Sequence, residues 1–334
     1  RMNSLERAFL SSTRNIISVF SGHLPPSERS LVSQKIQSLI EYNVGDGKNK
    51  RAQLVLSSFD AVGGSIENRD TATRSGAAIE MLQSFLLIAD DIMDNSDTRR
   101  GKCCWYKQEG IGLSAINDAF LLQAAAENEI REAFRGHRNE SLAVSSFHST
   151  IRRTIVGQMM DIETAGHMEH FNWQRYSQLV EHKTSHYTFI LPLTLGLLAG
   201  GREISMKKMT EMALKIGYLF QSQDDWLDVY GESALTGKMG SDIKDKKCTW
   251  LSCKAIEILN EMNDERIDNL KRAFIFGDED EVRRIYEQLQ LSQRFKSFEE
   301  DFSRHLIKET ESIPQIGLAS LFREIITETK QRQK

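Results

Sequence analysis

The sequence predicts an all-α protein of one domain, and three features carry that expectation. Apolar residues recur at helical spacing over long stretches. Alternating β-branched runs are scarce, and no hairpin dipeptide lies between strand-like segments. Only four prolines occur in 334 residues, so little interrupts a long helix. No linker rich in Gly, Ser or Pro divides the chain, so residues 1–334 are expected to form a single domain.

Leu5 to Phe20 reads as an opening helix, ended by Gly22 and Pro25-Pro26; Glu28 to Tyr42 reads as a second. Asn43 to Arg51 follows, with Gly45 and Gly47 permitting tight turns or close approach of a ligand. Lys48 and Arg51 stand where this loop meets the next helix. Helix amides and dipole would add to the two charges and suit an anion; a solvated basic turn is the alternative.

Ile79, Leu82, Phe85, Leu86, Ile88 and Ala89 place a helix directly before Asp90-Asp91-Ile92-Met93-Asp94. Asp90 and Asp94 share a face. Two carboxylates at that spacing repel, at a cost of a few tenths of a kcal/mol in a bare helix. A hard divalent cation would offset this, since Mg²⁺ takes one or two carboxylates plus substrate phosphates. Asn95 to Cys104 is expected to be a loop carrying Arg99 and Arg100. Arginine grips phosphate with two donors at once; a pair of surface arginines is the alternative.

Ala115 to Phe134 and Leu142 to Ala165 are two further helices. The second sets Gln158 and Asp161 among Ile155, Val156, Met159 and Met160, and the methionines read as core filler. His167 and His170 read as solvated. His182 and His186 do not make a zinc site, because Lys183 stands where the HExxH pattern needs Glu. Lys183 and Thr184 instead offer a cation and a hydroxyl to a phosphate. Gly217 to Val229 is a second acidic helix, with Gln221 leading Asp224-Asp225-Trp226-Leu227-Asp228. Gly231 to Gly240 is a loop holding Lys238, without a P-loop frame; Lys247 follows. Trp250 to Thr329 is charged amphipathic helix. Lys330, Arg332 and Lys334 form a basic tail of the kind that is usually disordered.

One acidic helix end could be incidental. Two, each closing an apolar helix and each followed by basic residues, point to two acidic walls across a cavity, with metal ions and a polyphosphate between them. The net charge of -4 and scattered basic residues give no nucleic-acid signature. The four cysteines make no disulfide framework, so reduced thiols in an intracellular, cytoplasmic setting are expected. Phe189 to Gly200 contains Pro192 and falls short of the roughly 20 residues a membrane span needs. Arg1 to Leu10 has no hydrophobic signal core, while a removed organellar leader stays open.

With these residues in view, the chain resembles a short-chain trans-isoprenyl diphosphate synthase of the farnesyl diphosphate synthase type. Asp90 to Asp94, Thr98-Arg99-Arg100-Gly101 and Cys104-Trp105-Tyr106 are similar to the family's first aspartate-rich region. Gln221 to Asp228, Thr236-Gly237-Lys238 and Asp242-Ile243 are similar to its second, and Gly47-Lys48 with Arg51 fits its GGKxxRG motif. The resemblance implies an all-α bundle around a deep central cavity (the isoprenoid synthase fold), usually as a homodimer. It implies three Mg²⁺ ions at Asp90, Asp94 and Asp224, with Asp228 a further candidate ligand and Mn²⁺ or Co²⁺ as substitutes. It implies an allylic diphosphate, dimethylallyl or geranyl, gripped by Arg99, Lys183, Thr184, Gln221, Lys238 and Lys247. Isopentenyl diphosphate would sit on Lys48, Arg51, Gln83 and Arg100, giving geranyl or farnesyl diphosphate.

This chain departs from the pattern at Asp46, where the motif has glycine, and at Ala52, where the motif's arginine is followed by glycine. Near the expected pocket floor Phe85 keeps an aromatic ring, while the next position is Leu86, a space Phe120 could refill. The departures at Asp46 and Ala52, together with the partly kept basic tail, motivate an alternative: a terpene synthase on the same scaffold, ionising one allylic diphosphate without a second substrate. A helical binding subunit with a dead site is the non-enzymatic alternative, and it would not need both aspartate pairs.

Overall fold

The computed structural model describes residues 4–45, 47–201, 206–231 and 240–331. They form helices almost throughout. In order these are α1 (Ser4–Ser21), α2 (Pro26–Asn43), α3 (Lys50–Ala61), α4 (Arg69–Met93), α5 (Ala115–Ala133), α6 (Glu140–Thr164), α7 (Trp173–Leu179), a π-helical stretch (Val180–Ile190) and α8 (Leu191–Gly200). Then follow α9 (Met206–Tyr230), α10 (Trp250–Glu261), α11 (Arg266–Phe276), α12 (Glu279–Gln288), α13 (Leu291–Glu309) and α14 (Ile316–Gln331). The all-α expectation holds. The stretch from Trp250 onward is five helices rather than one, divided by turns such as that at Gly277, where φ is +70°. Lys330 ends α14 in an ion pair with Glu300 instead of lying in a loose tail. Arg332 and Lys334 lie outside the described residues. No described helix is long and apolar enough to cross a membrane.

The chain forms two compact units, one of Arg1–His148 with Leu191–Ile204, the other of Ser149–Ile190 with Ser205–Lys334. In the first, α4 is the central element and packs against α1, α3, α5 and α8. Almost every α4 residue from Ala72 to Phe85 is buried, polar ones included, as befits a helix surrounded on all sides. Small residues set its contacts: an ideal Cβ on Gly76 would stand 3.2 Å from the Ala52 methyl of α3. The α3–α8 contact is closer still, since a Cβ on Gly196 would meet the Ser58 hydroxyl at 1.9 Å and the Val55 carbonyl at 2.2 Å.

In the second unit α9 is central and packs against the π-helical stretch, α10, α13 and α14. A Cβ on Gly217 would stand 2.1 Å from the Ser185 hydroxyl, so α9 and that stretch touch through a glycine. The Ser185 hydroxyl donates to the Val180 carbonyl five residues back, in step with the wider π turn. Trp226, Trp250, Phe295 and Phe298 build an aromatic core, with Trp226 stacked on Phe295 at 5.9 Å.

The α6 face that the sequence assigned to the core is instead outward. Ile155, Val156 and Met159 are exposed, Met159 at 60%. Helical spacing identifies residues that share a face but not whether that face is covered.

Replacing Gly196 by alanine drives a methyl into the α3 backbone. Overpacking of this kind typically costs about 1–3 kcal/mol. Urea or thermal unfolding of Gly196→Ala should therefore show a clear loss of stability; wild-type stability would mean that α3 and α8 are not in such close contact.

Candidate active site

The first acidic motif closes α4, and its aspartates divide their duties. Asp91 is buried at 4% exposure and accepts Arg99 Nε at 2.6 Å. Burial pushes its carboxyl above the ordinary value, and Arg99 pulls it back. Asp90 stays part-exposed and takes Arg99 Nη2 at 3.2 Å. Asp94, at the C-cap, is also part-exposed. Asp90 and Asp94 thus remain accessible on one face, while Asp91 and Arg99 lock the helix end to the segment beyond.

That segment is not a plain loop. Thr98–Arg99 and Lys102–Cys103 pair as a two-stranded antiparallel hairpin. Arg100 (φ +54°) and Gly101 (φ +75°) form its turn, both at positive φ as a type I′ turn requires. Arg-Gly is not the usual dipeptide there, which is why the sequence pattern conceals it. The Tyr42 hydroxyl donates to the Cys103 carbonyl at 2.7 Å. Trp105 follows, with Nε1 donating to buried Asp118 at 2.8 Å. From the turn, the Arg100 guanidinium reaches Gly47: a Cβ there would stand 2.8 Å from Nη1. Gly47 is therefore needed for close approach, and Arg100 joins Lys48 and Arg51 at the head of α3.

The start of α3 is held by a residue that motif reading missed. Its N-cap, Asn49, sits at φ +47° and its side chain makes no capping bond. Glu80 of α4, buried at 6% exposure, accepts the Ala52 amide at 2.9 Å in its place. A carboxylate at a helix N-terminus is favoured by the dipole. The signal was present in the sequence as a lone acid inside Ala77-Ala78-Ile79-Glu80-Met81-Leu82. One turn on, the Ser84 hydroxyl donates to the Asn43 carbonyl at 2.7 Å, tying the end of α2 to the same helix. Gln83 lies between these two anchors, buried, with Oε1 lacking a hydrogen-bond partner.

Ala52 has a packing reason of its own: its methyl rests on Gly76. Phe85 is buried and Leu86 half-buried on α4. Phe120 does not fill the space beside Leu86, being 60% exposed on α5. Asp46 lies outside the described residues.

The second acidic motif, on α9, repeats the division of duties. Asp225 is buried and accepts three hydrogen bonds: Tyr176 Oη at 2.7 Å, the Trp250 amide at 2.8 Å and Gln221 Nε2 at 2.9 Å. Burial raises its pKa to about 7 against the lowering effect of those donors. The Gln221 carbonyl in turn accepts Thr184 Oγ1 at 2.7 Å. Asp225, Gln221 and Thr184 therefore form one relay. Lys183 donates to Asp161 at 2.6 Å, which explains the polar Asp161 in an apolar pattern. A Cβ on Gly157 of α6 would stand 2.3 Å from the Lys183 amide nitrogen, so that glycine lets α6 lie against the π-helical stretch.

Asp224 stays half-buried beside Asp225. Asp228 is differently engaged from the expectation that it is a metal ligand. Its two oxygens accept the Ser241 amide at 3.1 Å and the Asp242 amide at 2.9 Å, folding the backbone over it. Lys247 is half-buried just beyond, and Lys238 lies outside the described residues. His182 and His186 have ring centroids 6.3 Å apart on the π-helical stretch, and His167 and His170 are exposed.

Among the described residues, no group of three or more His, Cys, Asp and Glu side chains forms a protein-only metal cage. The donors available are one or two accessible carboxylates per motif. That donor set fits a hard cation such as Mg²⁺, which keeps waters and takes oxygen from substrate phosphates.

Comparison with known proteins agrees with this chemistry. Residues 33–289 match the family model described as polyprenyl synthetase. The chain is similar to the farnesyl pyrophosphate synthase of Gallus gallus, 35% identical, over 81% of this chain and 77% of that one. It is also similar to the farnesyl pyrophosphate synthase of Rattus norvegicus, 33% identical, over 99% and 97% of the two chains. Among solved structures it resembles the T. brucei farnesyl diphosphate synthase complexed with risedronate, with a TM-score of 0.86, 25% identity, and 99% and 100% of the two chains covered.

The cap on α3 is open to a direct check. In Glu80→Leu the Ala52 amide loses its acceptor, and hydrogen exchange at the first turn of α3 should accelerate. Glu80→Gln keeps an acceptor oxygen and should exchange close to wild type. Equal protection in Glu80→Leu and wild type would show that α3 begins without this bond.

Proposed function

The chain belongs to the polyprenyl synthetase family, and we propose that it condenses isopentenyl diphosphate with an allylic diphosphate, dimethylallyl or geranyl, to form geranyl or farnesyl diphosphate. The observation that carries the reading is the cluster at the head of α3. Arg100 reaches Gly47 beside Lys48 and Arg51, with Gln83 buried on the adjoining helix. A catalyst of one allylic diphosphate has no use for a second anion site of this kind. Ala52, a motive for the terpene synthase alternative, is accounted for by its contact with Gly76.

In this reading Asp90, Asp94 and Asp224 hold Mg²⁺. The bound ion would neutralise charge developing on the departing diphosphate. Asp228 is left out of the ligand set, because backbone amides already occupy its oxygens. Arg99, Lys183, Thr184, Gln221, Lys238 and Lys247 grip the allylic diphosphate. Arg99 would exchange a carboxylate for phosphate oxygen as substrate arrives. Lys48, Arg51, Gln83 and Arg100 hold isopentenyl diphosphate. The allylic C–O bond breaks, the isopentenyl double bond attacks the resulting cation, and a proton leaves to the released pyrophosphate. The cation needs dry, apolar walls without competing nucleophiles. Phe85 and Leu86 lie where such walls would limit chain length.

We also assign a homodimer. Two exposed apolar stripes support it, one of Ile116 and Phe120 on α5, the other of Ile155, Val156, Met159 and Ile162 on α6. Patches of this kind on a folded chain mark interaction surfaces.

Incubation with Mg²⁺, isopentenyl and dimethylallyl diphosphates should yield a longer diphosphate, and geranyl or farnesyl diphosphate alone should yield no hydrocarbon or alcohol. Asp90→Ala and Asp224→Ala should each lower turnover by orders of magnitude, since charge neutralisation by a metal contributes several kcal/mol. Arg100→Ala should raise the KM for isopentenyl diphosphate much more than that for the allylic substrate. Wild-type turnover in both aspartate variants, or a cyclised product without isopentenyl diphosphate, would overturn the reading. For the dimer, light scattering should register a fall to monomer mass in Phe120→Asp or Met159→Asp.

A further inference from the structure

The second unit contains a cavity of about 470 Å³ that the proposed chemistry does not use. We propose that it is a binding site for a planar aromatic carboxylate, with the ring system between aromatic walls and the carboxylate on Arg294. Its volume falls in the range of about 300–1,000 Å³ usual for small-molecule pockets. Trp173, Tyr218, Trp250 and Phe298 supply the walls. Ring centroids lie 5.9 Å apart for Trp173 and Trp250, and 5.2 Å apart for Trp250 and Phe298. Trp173 is fixed from behind, its Nε1 donating to Glu257 at 2.7 Å.

The charges decide the ligand's sign. Lys254 and Glu257 pair with each other and cancel. Asp301 is taken by Arg304 at 3.0 Å. Arg294 uses Nε on the Leu289 carbonyl at 2.9 Å, and among the described residues no carboxylate pairs with it. Its two Nη groups remain as a fork suited to a carboxylate. The Tyr218 hydroxyl, with its pKa raised by burial, stays a neutral donor.

An occupant would rest on the residues that hold Asp225. The Trp250 amide donates to Asp225, and the Tyr176 ring, 5.4 Å from that of Tyr218, carries the hydroxyl that does the same. This site is independent of the catalytic reading, since it rests on the second unit's own rings and charges.

The test is a titration of the full chain with 2-naphthoate, followed by calorimetry and tryptophan emission. Saturable binding of one molecule per chain is expected. Affinity should fall at least tenfold in Arg294→Gln, an exposed position whose change leaves the fold intact. In the unaltered protein, neutral 2-naphthalenemethanol should bind at least tenfold more weakly than 2-naphthoate. Absence of saturable binding, equal affinity for the neutral probe, or full affinity in Arg294→Gln would each overturn the proposal, the last by placing the ligand elsewhere.

Discussion

A carboxylate sealed inside a helical core survives as a charge only when other groups hold it, and each acidic motif here gives up one aspartate to that constraint. Asp91 is held by Arg99. Asp225 is held by Tyr176, Gln221 and the first amide of α10. Breaking a buried pair by removing one partner typically costs about 3–5 kcal/mol, because a bare charge is left behind. The middle aspartate therefore fixes the helix end in place. Its neighbours, Asp90 and Asp94 in one motif and Asp224 in the other, are thereby presented at partial exposure, where a cation or phosphate can reach them. The same constraint acts on Glu80, whose buried oxygen finds the Ala52 amide. It acts also on Glu129, fully buried beneath Ser12 and Arg74.

Much of this was legible in the sequence because helical spacing and side-chain chemistry are local properties. The apolar run before Asp90 predicted α4, and the four-residue interval predicted that Asp90 and Asp94 share a face. Other features depend on contacts made far along the chain. The hairpin at Thr98–Cys103 exists because Arg100 adopts a left-handed conformation, secured by Tyr42, Trp105 and Asp118 around it. No local pattern announces it. The α6 stripe and Phe120 failed for a related reason: periodicity groups residues by face, and only tertiary structure determines which faces are covered. The π-helical stretch was equally silent, although it carries Lys183 and Thr184.

Departures from a motif need the same care as matches. Ala52 stands where a glycine is expected, yet the facing residue of α4 is Gly76, so the extra methyl is absorbed by a missing one. Asp228 errs in the opposite direction. It satisfies the motif completely, while its carboxylate is consumed by two backbone amides that seat the following turn. A Cβ at Gly240 would stand 1.8 Å from the Asp228 carbonyl oxygen, so this turn is built for the contact. Spacing alone assigned Asp224 and Asp228 the same role; hydrogen-bond accounting separates them.

The two adjacent arginines show why a short hairpin suits this position better than a flexible loop. Arg99 lies in a strand, and its guanidinium returns to α4, onto Asp90 and Asp91. Arg100 takes the first place in the turn at φ +54°, and its guanidinium goes to Gly47 at the head of α3. The backbone turn thus sends neighbouring side chains to different helices. Holding a residue other than glycine in this conformation costs of the order of 1 kcal/mol, which the surrounding contacts must offset. In a loop both cations could fall onto the same carboxylates, drawn there by charge. Separated by the turn, one remains with the acidic helix end while the other joins Lys48 and Arg51, so one hairpin serves two anion-binding surfaces.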